Sequence, residues 1–179
     1  MKDFHRDNPL FSLCGLNCGL CQLYVGQYCP GCGGDGGRTC AIARCSMAHG
    51  DLPYCFMCNE YPCARYEGFG AYDSILPCRN RAQDIARAKQ IGAAAYTAEL
   101  REKMDVLHRL LTHYNDGRRK SFYLTAVYLL ALPDVQAVAA KLPAADVPLK
   151  ERAAAAVGLF QAVAAERGVE LKKYKKPKA

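Results

Sequence analysis

Eleven cysteines stand in 179 residues. Ten of them, Cys14, Cys18, Cys21, Cys29, Cys32, Cys40, Cys45, Cys55, Cys58 and Cys63, fall within one fifty-residue stretch, and only Cys78 lies outside it. Thiolates ligate zinc, hold iron–sulfur clusters and attack disulfides, so their spacing has to decide between these chemistries. The first run, CGLNCGLC at 14–21, has the C-x3-C-x2-C triplet that binds a cluster in radical enzymes. Such a triplet belongs on a loop of a partial α/β barrel, which announces itself by repeated strand–helix units. Here more cysteines and then helix-patterned sequence follow Cys21. The ferredoxin-type C-x2-C-x2-C run is also missing, because seven residues separate Cys21 from Cys29. Cluster ligands need not follow that run, so an iron–sulfur cluster stays as the alternative cofactor.

Zinc accounts for most of the pattern. Two intervening residues let a C-x2-C pair turn both sulfurs toward one tetrahedral ion. Three such pairs are present, Cys18/Cys21, Cys29/Cys32 and Cys55/Cys58. The expected grouping places Cys18, Cys21, Cys29 and Cys32 around one ion. A second site draws on Cys40, Cys45, Cys55, Cys58 and Cys63. Four ligands per zinc leave two cysteines over, so the expected content is two or three zinc ions. Cys14 and one member of the second group are then spare, interchangeable with a ligand, or part of a bridged cluster. His49, four residues after Cys45, has a spacing that reaches the same ion, but reads first as an exposed loop histidine. Cys78 reads as a small buried side chain. A redox-active dithiol requires a strand–helix setting that the sequence does not show. The glycine run GCGGDGGRT (31–39) is not a phosphate loop: Cys32 stands where the first glycine belongs and Arg38 replaces the lysine. It reads as a flexible turn between ligands. His108 and His113 are five apart and do not share a helix face. No catalytic constellation stands out, and an enzyme is not the expectation.

The elements that must position these cysteines follow two grammars. Residues 14–63 show no sustained helical or strand period and hold only nine Leu, Ile, Val, Phe or Met residues. So thin a core usually needs disulfides or a structural metal, and here the metal is expected to carry the fold. The second half is helical in pattern, with segments at 80–92 and 96–114. Tyr96, Leu100, Met104, Leu107, Leu111 and Tyr114 are placed on one face. Asn115-Asp116-Gly117 ends that helix. Further helices are expected at about 119–132, from an N-cap at Asp134 to 142, and from Pro148 to Gly168. The predicted fold class is mainly α, an irregular cysteine-rich metal-binding module (1–78) followed by a small helical bundle (79–168) and a basic, frayed tail (169–179).

The charge is net −2 up to Cys78 and +9 beyond it, giving the formal +7. Each zinc held by four thiolates adds −2, so two such sites lower the whole to about +3. Arg118, Arg119 and Lys120 precede a predicted helix start, where backbone N–H groups and the helix dipole favour anions. With Lys172, Lys173, Lys175, Lys176 and Lys178 around Tyr174, they make a polyanion or nucleic acid a conceivable partner beside an unidentified protein. The beginning of the chain has no signal-peptide core, and FYLTAVYLLAL (122–132) is too short to cross a membrane. A soluble, cytoplasmic protein with no membrane partner is expected, and a reducing compartment favours metal over disulfides.

Taken in order, CGLNCGLC, CPGC, CAIARC and CFMCNEYPC resemble a cysteine-rich prokaryotic family known only as domain-of-unknown-function family 3795. Its members carry a CGL-x-C-x-x-C start, a C-x-x-C pair, a C-x-I-x-x-C step and a C-x-x-C-x-x-x-PC close. The resemblance covers residues 14–63 and implies metal binding, zinc above all, at those ten cysteines. It brings no activity with it. The phrase YNDGRRKSFY (114–123) looks like an extension found in some relatives.

Overall fold

The structure, a computed structural model, describes residues 4–35 and 40–176. Among these residues the protein is mainly helical. Seven α-helices occur and no strand; an isolated antiparallel bridge joins Phe11 to Asn17. The helices are α1 (Gln22–Val25), α2 (Ala41–Ala48), α3 (Arg81–Ile91), α4 (Ala93–His113), α5 (Lys120–Leu129), α6 (Leu132–Ala140) and α7 (Leu149–Glu166). No helix among the described residues is long and apolar enough to cross a membrane.

The chain forms two compact units, Met1–Ala98 with Tyr174–Ala179, and Glu99–Lys173. The division lies inside α4 and not at position 78. The cysteine-rich segment cannot bury itself, and α3 and the first turns of α4 complete its core. Ile85 and Ala88 of α3 and Tyr96 and Thr97 of α4 are buried. The Phe11 ring lies 4.7 Å from that of Tyr96, whose hydroxyl donates to Asn17 Oδ1 at 3.1 Å. Asn17 in turn donates to Asp84 Oδ2 at 3.1 Å, and Asn8 Nδ2 reaches Thr97 Oγ1 at 2.7 Å. Leu10, Phe11, Leu13, Leu20 and Tyr54 finish this core. Most of it comes from outside residues 14–63, so burial supports the module in addition to any metal.

In the second unit the apolar faces do the positioning. Leu100, Lys103, Leu107 and Leu110 form the buried line of α4, and Tyr114, just past its end, continues it. Met104 and Leu111 sit half-buried at its edge, because a repeat of 3.6 residues carries the stripe through 103 and 110 instead. Ala153, Ala156, Phe160 and Ala164 give α7 a buried, mostly small face, and α5 and α6 both pack on α7. The Tyr123 hydroxyl, fully buried, donates to the carbonyls of Tyr114 (2.8 Å) and Ala153 (3.3 Å). α6 begins at Leu132 with Pro133 in its first turn, so Asp134 lies inside the helix and is not its N-cap. Its carboxylate instead receives Arg167 Nη2 at 2.8 Å and Nε at 3.0 Å.

The tail does not simply fray. Asp73 N donates to the Tyr174 carbonyl at 2.7 Å, and Tyr174 N donates to Asp73 Oδ2 at 2.8 Å. The Arg79 guanidinium lies 4.3 Å from the Tyr174 ring centre. Lys178 and the Gly36–Thr39 part of the glycine run lie outside the described residues.

Candidate metal centres

Two of the C-x2-C pairs fold into the same local shape. Cys18–Leu20 and Cys55–Met57 each make one 3₁₀ turn, closed by Cys21 N to Cys18 O (2.9 Å) and Cys58 N to Cys55 O (3.0 Å). The second cysteine of each pair is extended, at φ −77°, ψ 137° for Cys21 and φ −77°, ψ 140° for Cys58. The third pair is built differently. Cys29 N donates to Leu23 O (3.2 Å) and Cys32 N to Pro9 O (3.0 Å), with Gly31 between them at φ +92°. A Cβ on Gly31 would stand 2.5 Å from the Pro9 carbonyl oxygen, so this approach needs glycine. Cys40 and Cys63 share a third shape. Both are extended residues leading into a helical turn, and the Cys40 thiol caps α2 by accepting from Ala43 N at 3.5 Å.

Cys14 stands where the two halves of the cluster meet. It rides a tight turn closed by Ser12 N to Leu16 O (2.8 Å) and Leu16 N to Ser12 Oγ (2.7 Å), with Gly15 at φ +89°. Cys55 N donates to Leu13 O at 2.9 Å, which returns the chain to that turn forty residues later in the sequence.

The thiols gather into two groups that meet at Cys14. Burial pushes the Cys18 thiol far above the ordinary cysteine range, and Cys32, Cys14, Cys21 and Cys29 push it the same way. Burial lifts Cys55 to about 11; the Tyr66 hydroxyl bonded to it pulls down, while Cys14, Cys45 and Cys63 push up. Cys45, Cys55, Cys58 and Cys63 also line a small cavity of about 30 Å³ with His49, Glu60, Tyr61 and Tyr66. The first group thus holds Cys14, Cys18, Cys21, Cys29 and Cys32. The second holds Cys45, Cys55, Cys58 and Cys63. Cys40 is exposed at the start of α2. The thiols are gathered but not assembled: among the described residues, no three His, Cys, Asp or Glu side chains stand in a geometry that could hold a metal ion. Protonated thiols neither attract one another nor ligate, and the raised values mean that a metal would have to displace their protons.

His49 is the C-cap of α2, partly exposed, and belongs beside the second group. Its Nδ1 lies 2.8 Å from Cys45 O and 3.7 Å from Cys45 Sγ, and its Nε2 lies 3.6 Å from Glu60 Oε1. Cys78 is buried, with its thiol directed to the Leu76 carbonyl at 3.6 Å. Ahead of α5, Arg119 N donates to Asn115 Oδ1 and Arg118 N to Asp116 Oδ1, both at 3.1 Å. Asp116 Oδ2 also lies 3.5 Å from Arg119 Nε. The chain's own Asn115 and Asp116 therefore occupy part of the positive field ahead of α5.

Three residues beside the thiols carry no spacing signal. Arg6 acts on Cys32: burial pushes that thiol up, and the Leu13 backbone and then the Arg6 charge pull it down. Arg6 also donates to Phe11 O (3.0 Å) and Pro53 O (2.8 Å). Tyr66 donates to Cys14 O at 3.3 Å and shares a hydrogen bond with Cys55; burial first, and then that bond, raises its hydroxyl far above the ordinary tyrosine range. Arg81, the first residue of α3, lies only 3% exposed against the rings of Tyr66 and Phe69. Any signal for them was compositional at best: a lone arginine before a cysteine run, and another opening a helix just after it. No protein-family model, curated protein or solved structure matches this chain.

Proposed function

We propose that residues 14–63 form a zinc-binding module with two thiolate centres, and that the chain works as an adaptor or binding protein whose metal is structural. The observation that carries this reading is the double gathering of thiols, one group around Cys18 and one around Cys55, with Cys14 acting electrostatically on both. The first centre draws on Cys18, Cys21, Cys29 and Cys32, and the second on Cys45, Cys55, Cys58 and Cys63. Cys14 is placed to bridge, and Cys40 is the spare. The paired 3₁₀ knuckles favour zinc, whose tetrahedral thiolate sites use such turns. The resemblance of residues 14–63 to family 3795 points the same way. Four thiolates per ion leave no open position for water, which fits a structural role.

Elemental analysis of protein purified without oxygen, together with a visible absorption scan, tests the reading. Two zinc ions per chain and a colourless solution are expected. Iron with inorganic sulfide and a visible band would replace zinc by a cluster held at the same cysteines. A chain that holds no metal after anaerobic purification and zinc titration would sink the proposal.

A further inference from the structure

Arg81 poses a problem of charge. Its residue is 3% exposed, and among the described residues neither Nη1 nor Nη2 has a hydrogen-bond partner. It makes no ion pair among those residues either. A buried guanidinium without an anion is costly, and aromatic faces offset only part of that cost. The side chain is nonetheless well placed. Its stem packs where a Cβ on Gly15 would stand 2.9 Å from Arg81 Cγ, one residue from Cys14. Its head lies 5.3 Å from the Tyr66 ring, and Tyr66 bonds Cys14 O and the Cys55 thiol. The missing anion is therefore sought among the thiols. Neutral thiols do not supply it, but a metal held by four thiolates brings a net −2.

Arg6 stands in the same relation to the first group. Its backbone N donates to Gly33 O at 3.1 Å, one residue from Cys32, and its guanidinium is anchored on Phe11 O and Pro53 O, 4.9 Å from the Tyr54 ring centre, with its charge pulling the Cys32 thiol down. Each thiol group thus has one arginine, held by backbone carbonyls or aromatic rings and directed at the cysteines or at the tyrosine that bonds them.

We propose that Arg6 and Arg81 are the counter-charges of the two thiolate centres, Arg6 for the Cys18 group and Arg81 for the Cys55 group, and that each sets the metal affinity of its own centre. This inference rests on the zinc reading above. The difference between the two arginines gives it direction. Arg6 already bonds two backbone carbonyls, whereas neither Nη of Arg81 has a partner before thiolates form. Metal binding should accordingly depend more steeply on Arg81.

The test is zinc extraction by a chromophoric chelator at fixed pH from the full chain, with far-UV circular dichroism to verify the fold. Arg81→Met keeps the stem and removes the charge; Arg81→Lys keeps the charge. Arg81→Met is expected to weaken one zinc equivalent by about tenfold or more, as loss of outer partners does at other metal sites. Arg81→Lys should stay within a few-fold of wild type. Arg6→Met should weaken a different equivalent, by less. Equal affinity in Arg81→Met and wild type, with both folded, overturns the assignment and leaves the zinc reading intact. Equal loss in Met and Lys also overturns it, because packing and not charge would then be responsible. A wild-type chain that takes up no zinc removes the zinc reading first and this inference with it.

Discussion

The two compact units are held by different kinds of information. In Glu99–Lys173, Leu107, Leu110, Val127, Val135 and Phe160 are buried on faces that repeat at helical intervals, so any one contact is backed by its neighbours in the stripe. The cysteine-rich unit is tied instead by bonds between distant positions that follow no repeat: Cys32 N on Pro9 O, Cys55 N on Leu13 O, Asn8 on Thr97 and Tyr54. Contacts that follow no repeat are not backed by equivalent neighbours. This unit gains most from a metal, because an ion ties several distant positions at once. Metal withdrawal should therefore separate the units more sharply than any substitution. A strong chelator added to zinc-loaded protein is expected to remove stabilisation on the order of 10 kcal/mol from the cysteine-rich unit. The helical signal of α5, α6 and α7 should persist in far-UV circular dichroism. Loss of all helix in one transition, or no change, would break the comparison.

The reverse experiment acts on the helical unit. Phe160 is fully buried on α7, among rings from α5: Phe122 and Tyr123 both lie 6.4 Å from it, centre to centre. Phe160→Ala should cost about 3–5 kcal/mol through lost burial and the cavity left behind. Zinc content should stay at the wild-type value. If metal were lost along with the helical melt, the units would not be energetically distinct.

This asymmetry also explains what could be read in advance. Helices α3 to α7 were legible to within a few residues because periodicity, Pro133, Pro148 and Gly168 mark them. The misplaced details were phases and caps. Leu110 took the place of Leu111, and Asp134 was drawn inside α6, where Arg167 pairs with it. Helix α2 was not legible at all, since its N-cap is a cysteine and it buries only Ala43 and Ser46. The grouping of thiols was expected from C-x2-C spacing, which is local. The position of Cys14 was not, because it depends on the bond from Cys55 N to Leu13 O, across the whole segment. Arg6, Tyr66 and Arg81 were invisible for the same reason: their meaning lies in what they face.

Where the tail meets the first unit, one carboxylate holds three groups. Asp73 accepts from Cys78 N at 2.6 Å, Arg79 Nη1 at 2.9 Å and Tyr174 N at 2.8 Å, with its side chain wholly enclosed. Asp73→Ala leaves those donors unpaired and should cost about 1–3 kcal/mol. Trypsin should then cut at Lys172, Lys173 and Lys175 several-fold faster than in wild type, while zinc content stays unchanged. An unaltered cleavage rate would mean that Asp73 does not hold the tail.

The smallest effect is one of pH, and it belongs to the helical unit alone. Burial raises the Tyr123 hydroxyl to about 12, from an ordinary value of 10, with Arg119 pulling down and Asp116 and Tyr114 pushing up. The folded state thus favours the protonated phenol, which donates to the carbonyls of Tyr114 and Ala153. Its contribution is complete below pH 10. As pH rises, the unfolded chain releases this proton first, so stability falls from about pH 10 and the contribution is gone above about pH 12. The loss should be of order 1–3 kcal/mol. Melts of wild type and Tyr123→Phe between pH 9 and 12, both chelated, isolate it, because the thiols and the other phenols titrate alike in the two proteins. Tyr123→Phe should be less stable at pH 8 by about 1 kcal/mol for the lost hydrogen bond, yet flatter across this range. Equal slopes in the two proteins would place the alkaline loss elsewhere, and the buried phenol would be stabilising by its ring alone.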